Sequence, residues 1–163
     1  MKRKILVCGL PGSGKTTLAK VLAPMLGAVL FDGDAVRQIT GNWDFHTSDR
    51  LIQAAHMSWL CDQVITAGHT AIAAFICPTG GTRAVFGADF MVFCDRIIAC
   101  PYPDTNALWV PPSHADYTVT PEGSAEWHAI QIYRMLKTRD LDKEIEMMYT
   151  HLPSVEDPNV TGC

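Results

Sequence analysis

The chain has 163 residues, 48% of them hydrophobic and 18% charged, with a formal net charge of −4. That is one domain's worth of chain, with enough apolar material for a sizeable core. The acidic balance weighs against a large polyanion such as nucleic acid, without excluding a local basic patch, and no apolar stretch approaches the roughly 20 residues of a membrane span.

The N-terminus, Met1-Lys2-Arg3-Lys4, begins like a secretory signal. The apolar run behind it is broken at Gly9-Leu10-Pro11-Gly12, so no signal-length core follows and a cytoplasmic protein is expected. The six cysteines contain no C-x-x-C pair. Cys8, Cys77 and Cys94 fall in or beside predicted strands, where a reduced thiol behaves as a small apolar residue. A reducing compartment and no zinc site are expected.

Residues 4–8 form a short apolar run of buried-strand length. Next comes Gly9-Leu10-Pro11-Gly12-Ser13-Gly14-Lys15-Thr16-Thr17, which fits the phosphate-binding pattern G-x-x-x-x-G-K-[ST] at every fixed position. Residues 17–23 then have helical spacing, with Leu18, Val21 and Leu22 on one face. Glycines let the backbone approach a ligand, the loop N–H groups converge, and the helix N-terminus adds partial positive charge. Gly9, Pro11, Gly12, Ser13, Gly14, Lys15, Thr16 and Thr17 are therefore the candidate nucleotide-binding residues. In that motif the Lys15 ammonium reaches the β- and γ-phosphates and the Thr16 hydroxyl ligates Mg²⁺.

The helix is expected to end between Pro24 and Gly27, and residues 28–31 read as a second strand. It runs into Asp32-Gly33-Asp34. Ligands gather at the carboxyl ends of strands in open α/β sheets, so both carboxylates are placed to face the phosphate loop. Either aspartate is equally a helix cap, and the two roles are compatible. After a polar, aromatic loop over 41–47, a long helix runs to about Thr66, with an apolar stripe at Leu51, Ala55, Met57, Leu60 and Val64. His56 and Trp59 read as packing residues, and Gly68 as the stop.

Residues 70–76 form a continuous apolar run, hence a buried parallel strand, and 77–83 follow at its carboxyl end. Residues 89–95 make a fourth strand. Pro101, Pro103, Pro111 and Pro112 rule out a regular helix across 99–113, which reads as a loop or lid. Residues 117–120 make a short fifth strand, and 125–136 a helix with a partial stripe of Trp127, Ile130, Tyr133 and Met135 or Leu136. Residues 137–150 are charged with helical propensity. The predicted fold is an α/β three-layer sandwich of the P-loop nucleotide-kinase type, with a parallel five-stranded sheet. The folded domain is expected over 1–150, with 151–163 as a tail whose prolines and glycine suit disorder.

Four stretches together resemble the adenylylsulfate kinases: Gly9 to Thr17; Phe31-Asp32-Gly33-Asp34-Ala35-Val36-Arg37; Phe45-His46-Thr47-Ser48-Asp49-Arg50; and Phe75-Ile76-Cys77-Pro78 with Arg83. The resemblance implies ATP-dependent phosphorylation of a hydroxyl on a small nucleotide acceptor. It implies Asp34 as the base, Asp32 assisting through Mg²⁺, and Lys15 on the phosphates. Arg37 and Arg50 would hold the acceptor's anionic group, and Phe45 would pack on its base. Gln53, Arg83 and the backbone of Ile76 and Cys77 would complete the acceptor site, and a homodimer is admitted.

The sequence departs from the family at Gln53, where an asparagine is usual, and at Ala54, Ala55 and His56, where arginines are usual. It also lacks the basic lid: between Asp95 and Asp116 the basic residues are Arg96 and His114. Those departures open two alternatives, a kinase of the same family acting on another nucleotide or on a hydroxymethylated pyrimidine in DNA, and a nucleotide-binding module without an acceptor. Tyr102 and Trp109 are candidates for stacking on a base or for packing the loop.

Overall fold

A computed structural model describes residues 2–150, so the expected tail lies outside the described residues. Five parallel strands form one sheet in the order β2-β3-β1-β4-β5. They are β1 (Lys4–Cys8), β2 (Val29–Asp32), β3 (Ala71–Ala74), β4 (Phe90–Cys94) and β5 (Tyr117–Val119). Every residue of β1 and β3 is buried, as their unbroken apolar runs require for strands covered on both faces.

Helix α1 (Lys15–Leu26) leaves the phosphate loop and stops at Gly27, which takes φ 58° and donates its N–H to the Ala23 and Pro24 carbonyls. Its apolar face, Leu18, Ala19 and Leu22, packs on Ile5 and Val7 from one side of the sheet, together with Ile132 and Leu136 of α6 (Ala125–Thr150). Leu6 and Cys8 point to the other side, against Ala54, Met57 and Cys61 of α3 (Thr47–Thr66) and Phe86 of α4 (Gly80–Phe86). Strand alternation thus divides the core into two layers about the sheet. The connection leaving β1 runs towards β2 and the one leaving β3 runs towards β4, so adjacent strands send their chains opposite ways. The crevice beyond such strand ends is where open α/β sheets place ligands.

Four expectations are corrected. The buried face of α3 is Arg50, Gln53, Ala54, Met57 and Cys61, whereas Leu51 and Ala55 are exposed. His56 and Trp59 are also exposed and do not pack. A face containing a buried arginine and glutamine is invisible to an apolar-stripe count. On α6 the buried residues are His128, Ala129, Ile132 and Leu136; Leu136 belongs to the expected stripe, whereas Trp127 and Ile130 are exposed and Tyr133 is half-buried, and the helix continues unbroken to Thr150. Helix α4 forms despite Gly80 and Gly81 because Thr79 and Thr82 cap each other reciprocally. Within the proline-rich segment, α5 (Pro103–Leu108) forms because Pro103 stands in its first turn, where a missing N–H costs nothing.

No helix among the described residues is long and apolar enough to cross a membrane. Leu22 is fully buried where α1 meets the sheet and α6. Leu22→Ala should lower unfolding free energy by about 2–5 kcal/mol, read from the urea midpoint at constant slope.

Candidate functional site

The carboxyl ends of β1, β2 and β3 open into a cavity of about 720 Å³. The phosphate loop forms one wall. Gly9 takes φ 152°, and a Cβ there would lie 2.7 Å from both the Cys94 carbonyl and Ser13 Oγ, so no side chain fits. Lys15 is buried, and its Nζ donates to the Leu10 carbonyl at 2.8 Å. Burial lowers its pKa, and the Asp34 and Asp32 carboxylates act the other way.

Asp32 holds both roles its sequence position allowed. Its Oδ1 accepts from the backbone N–H groups of Asp34 (3.0 Å) and Ala35 (3.4 Å), capping α2 (Gly33–Thr40). Its Oδ2 accepts from the Thr16 hydroxyl at 2.6 Å, tying the end of β2 to the start of α1. Among the described residues no group of three or more His, Cys, Asp or Glu side chains could hold a metal. A magnesium site needs less: one or two carboxylates, with water and phosphate oxygens filling the octahedron. The hard oxygens of Thr16 and Asp32, side by side at the phosphate loop, fit that donor set.

The opposite wall is built from two arginines around one ring. Arg37 Nη1 donates to the carbonyls of Asn42 (2.9 Å) and Asp44 (3.0 Å), and its guanidinium carbon sits 4.6 Å from the Phe45 ring centroid. Burial lowers the Arg37 pKa, with the like charge of Arg50 acting in the same direction. Arg50 Nε donates to the Phe45 carbonyl at 2.8 Å, and its guanidinium carbon lies 5.5 Å from the same ring. Arg50 Nη2 also reaches Thr105 Oγ1 at 2.9 Å and Asp104 Oδ2 at 3.3 Å, both on α5. Gln53 Nε2 donates to the Gly33 carbonyl at 3.0 Å, fixing the turn between the two aspartates.

The third wall is the turn after β3. Cys77 takes φ 48°, the left-handed region, which costs a residue with a Cβ about 1–2 kcal/mol. Its carbonyl accepts from Arg83 Nη1 at 3.1 Å, so α4 holds the turn in place. Burial pushes the Cys8 and Cys77 thiols up to about 12 and Cys94 to about 11, which leaves them as packing groups rather than nucleophiles.

Of the predicted site residues, all but Gly9, Ser13 and Arg83 line the cavity. Gly9 and Ser13 lie within the loop itself, and Arg83 supports the turn from behind. Trp43, Tyr102, Asp104 and Thr105 also line it and went unassigned or undecided in the sequence. The pair Pro103-Asp104 was the available signal, since proline followed by an acid marks a helix start. Trp109 packs on Phe93, 5.9 Å between centroids, and does not line the cavity. Arg96 donates to the carbonyls of Thr120 (3.0 Å) and Gly123 and is not in the cavity lining, while its Nη1 would lie 3.8 Å from a Cβ at Gly14 of the phosphate loop.

Residues 2–95 match the family model described as adenylylsulphate kinase. The chain belongs to the adenylylsulphate kinase family. Its structure resembles a Mycobacterium tuberculosis APS kinase, CysC, solved in complex with AMPPNP and APS, with 22% identity, a TM-score of 0.75, and coverage of 83% of this chain and 98% of that one. A Cys556Ala mutant of that kinase matches at 26% identity and TM-score 0.68, covering 83% and 97%. A gluconokinase from Sinorhizobium meliloti shares the fold at 16% identity and TM-score 0.62, covering 86% and 96%. No curated protein sequence matches. In this member of the family the match ends at Asp95, so Tyr102, Asp104 and Thr105 lie beyond it.

The double duty of Asp32 can be separated by substitution. Asparagine caps helices about as well as aspartate, whereas alanine costs about 1 kcal/mol. Asp32→Asn should leave the urea midpoint nearly unchanged, and Asp32→Ala should lower stability by about that amount.

Proposed function

We propose that this kinase transfers the γ-phosphoryl group of ATP to a hydroxyl of a small, nucleotide-like acceptor, with adenylylsulfate, converted to 3′-phosphoadenylylsulfate, as the first acceptor to consider. The observation that carries this reading is one cavity with two chemically different ends. Lys15, Thr16 and Asp32 stand at the phosphate loop, Arg37, Phe45 and Arg50 stand opposite, and Asp34 lines the same space.

Phosphoryl transfer asks a protein for alignment and charge neutralisation more than for covalent chemistry. The loop N–H groups and Lys15 would hold the triphosphate. Thr16 and Asp32 would hold Mg²⁺, which neutralises charge on the β- and γ-oxygens when bound. Arg37 and Arg50 would orient the acceptor through planar donor pairs suited to an anionic group, with a ring stacked on Phe45. The Asp34 carboxylate would take the hydroxyl proton as the acceptor oxygen bonds to phosphorus and the bond to the ADP oxygen breaks. Gln53 would act at a distance, by fixing Gly33 and hence the spacing of Asp32 and Asp34. Ile76 and Cys77 would offer the acceptor a rigid backbone edge.

A second reading keeps the donor and changes the acceptor. It is favoured by the scarcity of basic residues between Asp95 and Asp116, where the one arginine or lysine, Arg96, donates to the backbone carbonyls of Thr120 and Gly123 beside the phosphate loop and not at the acceptor end. A nucleotide-binding module without an acceptor would have no use for Asp34, Arg37 and Arg50 around a common space.

The test is product formation by the purified chain with ATP, Mg²⁺ and adenylylsulfate. Lys15→Ala should abolish ATP-dependent activity. Asp34→Asn should slow transfer by about a hundredfold or more while ATP affinity stays close to that of the parent. Normal turnover in Asp34→Asn would remove Asp34 as the base.

A further inference from the structure

The charges in the cavity balance in a way that bears on the acceptor. Its lining carries Lys15, Arg37 and Arg50 against Asp32, Asp34 and Asp104. With Lys15 and Asp32 engaged at the phosphate loop, the acceptor end is left with two guanidiniums and two carboxylates. Asp34 belongs to the reaction proposed above. Asp104 does not.

Asp104 belongs to the segment beyond the family match, in the first turn of α5. Its carboxylate lies 3.3 Å from Arg50 Nη2, and the two side chains are 61% and 4% exposed respectively. Arg50 is therefore a buried cation fixed by the Phe45 carbonyl and Thr105 Oγ1, with Asp104 as its exposed counter-charge on the cavity side. Arg37 donates to two backbone carbonyls and lies over Phe45. Two half-exposed aromatic residues, Trp43 and Tyr102, line the same space. The acceptor end thus offers ring faces, two shared guanidiniums and an accessible carboxylate. A carboxylate beside a bound anion repels it, while one beside a hydroxyl or amino group accepts its hydrogen bond.

We propose that Asp104 is a specificity-determining residue of the acceptor end. It accepts a hydrogen bond from an O–H or N–H of the acceptor and disfavours a second anionic group there. The preferred acceptor class is then a ring-bearing alcohol with at most one anionic group, in contrast to adenylylsulfate, whose phosphate and sulfate are both charged. This deepens the second reading above, which keeps the ATP donor and changes the acceptor, and rests on the kinase assignment for the identity of the two ends.

The experiment is calorimetric titration of the full chain, its phosphate loop saturated with AMPPNP and Mg²⁺. Adenosine and adenylylsulfate serve as probes with the same ring and different charge. The parent should bind adenosine more tightly than adenylylsulfate. Asp104→Asn should tighten adenylylsulfate about tenfold and weaken adenosine severalfold, reversing the ratio. Asp104→Ser, checked for folding by circular dichroism alongside it, should shift the ratio the same way. Tighter binding of adenylylsulfate by the parent overturns the proposal, as does a ratio that neither variant moves or binding of neither probe. Failure of AMPPNP to bind sinks the kinase reading instead, and charge selectivity is then read without it. Selectivity that follows Asp104 while no phosphorylated product forms likewise removes the activity and leaves the selectivity standing.

Discussion

The Asp32 carboxylate is the hinge on which the arrangement turns. One oxygen satisfies the first N–H groups of α2, and the other takes the Thr16 hydroxyl. A helix start must find partners for its free donors whatever else the protein does. Here the partner also faces the phosphate loop. The same side chain fixes the direction of α2, hence the position of Arg37, and the distance between the end of β2 and the start of α1. Gln53 adds a second restraint by holding the Gly33 carbonyl from α3. The acid pair at residues 32 and 34 is thereby locked by backbone geometry rather than by packing of flexible side chains.

The opposite wall follows another logic. Arg37 and Arg50 are buried, and burying a charge is costly unless it is hydrogen-bonded. Both meet that demand through backbone carbonyls of the loop between α2 and α3, the loop that also carries Phe45. The loop is ordered by the arginines, and the arginines are held in position by the loop. Cation–ring contacts on Phe45 add to the fixation. Removing either guanidinium would therefore disturb the wall as well as its charge.

The fold was legible where a residue type has one dominant physical use. The glycine-rich loop, the unbroken apolar runs of β1 and β3, and the Asp32-Gly33-Asp34 turn all read directly. Legibility failed where tertiary contacts override local pattern. The buried face of α3 includes Arg50 and Gln53, which satisfy partners on other elements and break any apolar periodicity. Helix α4 depends on two threonines capping each other, a signal hidden behind two glycines. In the proline-rich segment proline has two opposite uses, as a helix breaker and as a first-turn residue, and Pro103 serves the second. Composition does not distinguish them, so Asp104 and Thr105 on the cavity wall carry no clear signal, whereas most of the motif residues do.

Arg50 joins two parts of the chain that are otherwise far apart in sequence. It touches the ring and carbonyl of Phe45 on one side and Asp104 and Thr105 of α5 on the other. A guanidinium cannot serve an added anion at full strength while holding α5 at full strength. Anything that draws on Arg50 from within the cavity loosens its hold on α5, and anything that anchors α5 lowers what Arg50 can offer. By thermodynamic reciprocity the two effects are equal in free energy. Occupancy of the cavity and the ordering of the segment above it are then two readings of a single equilibrium.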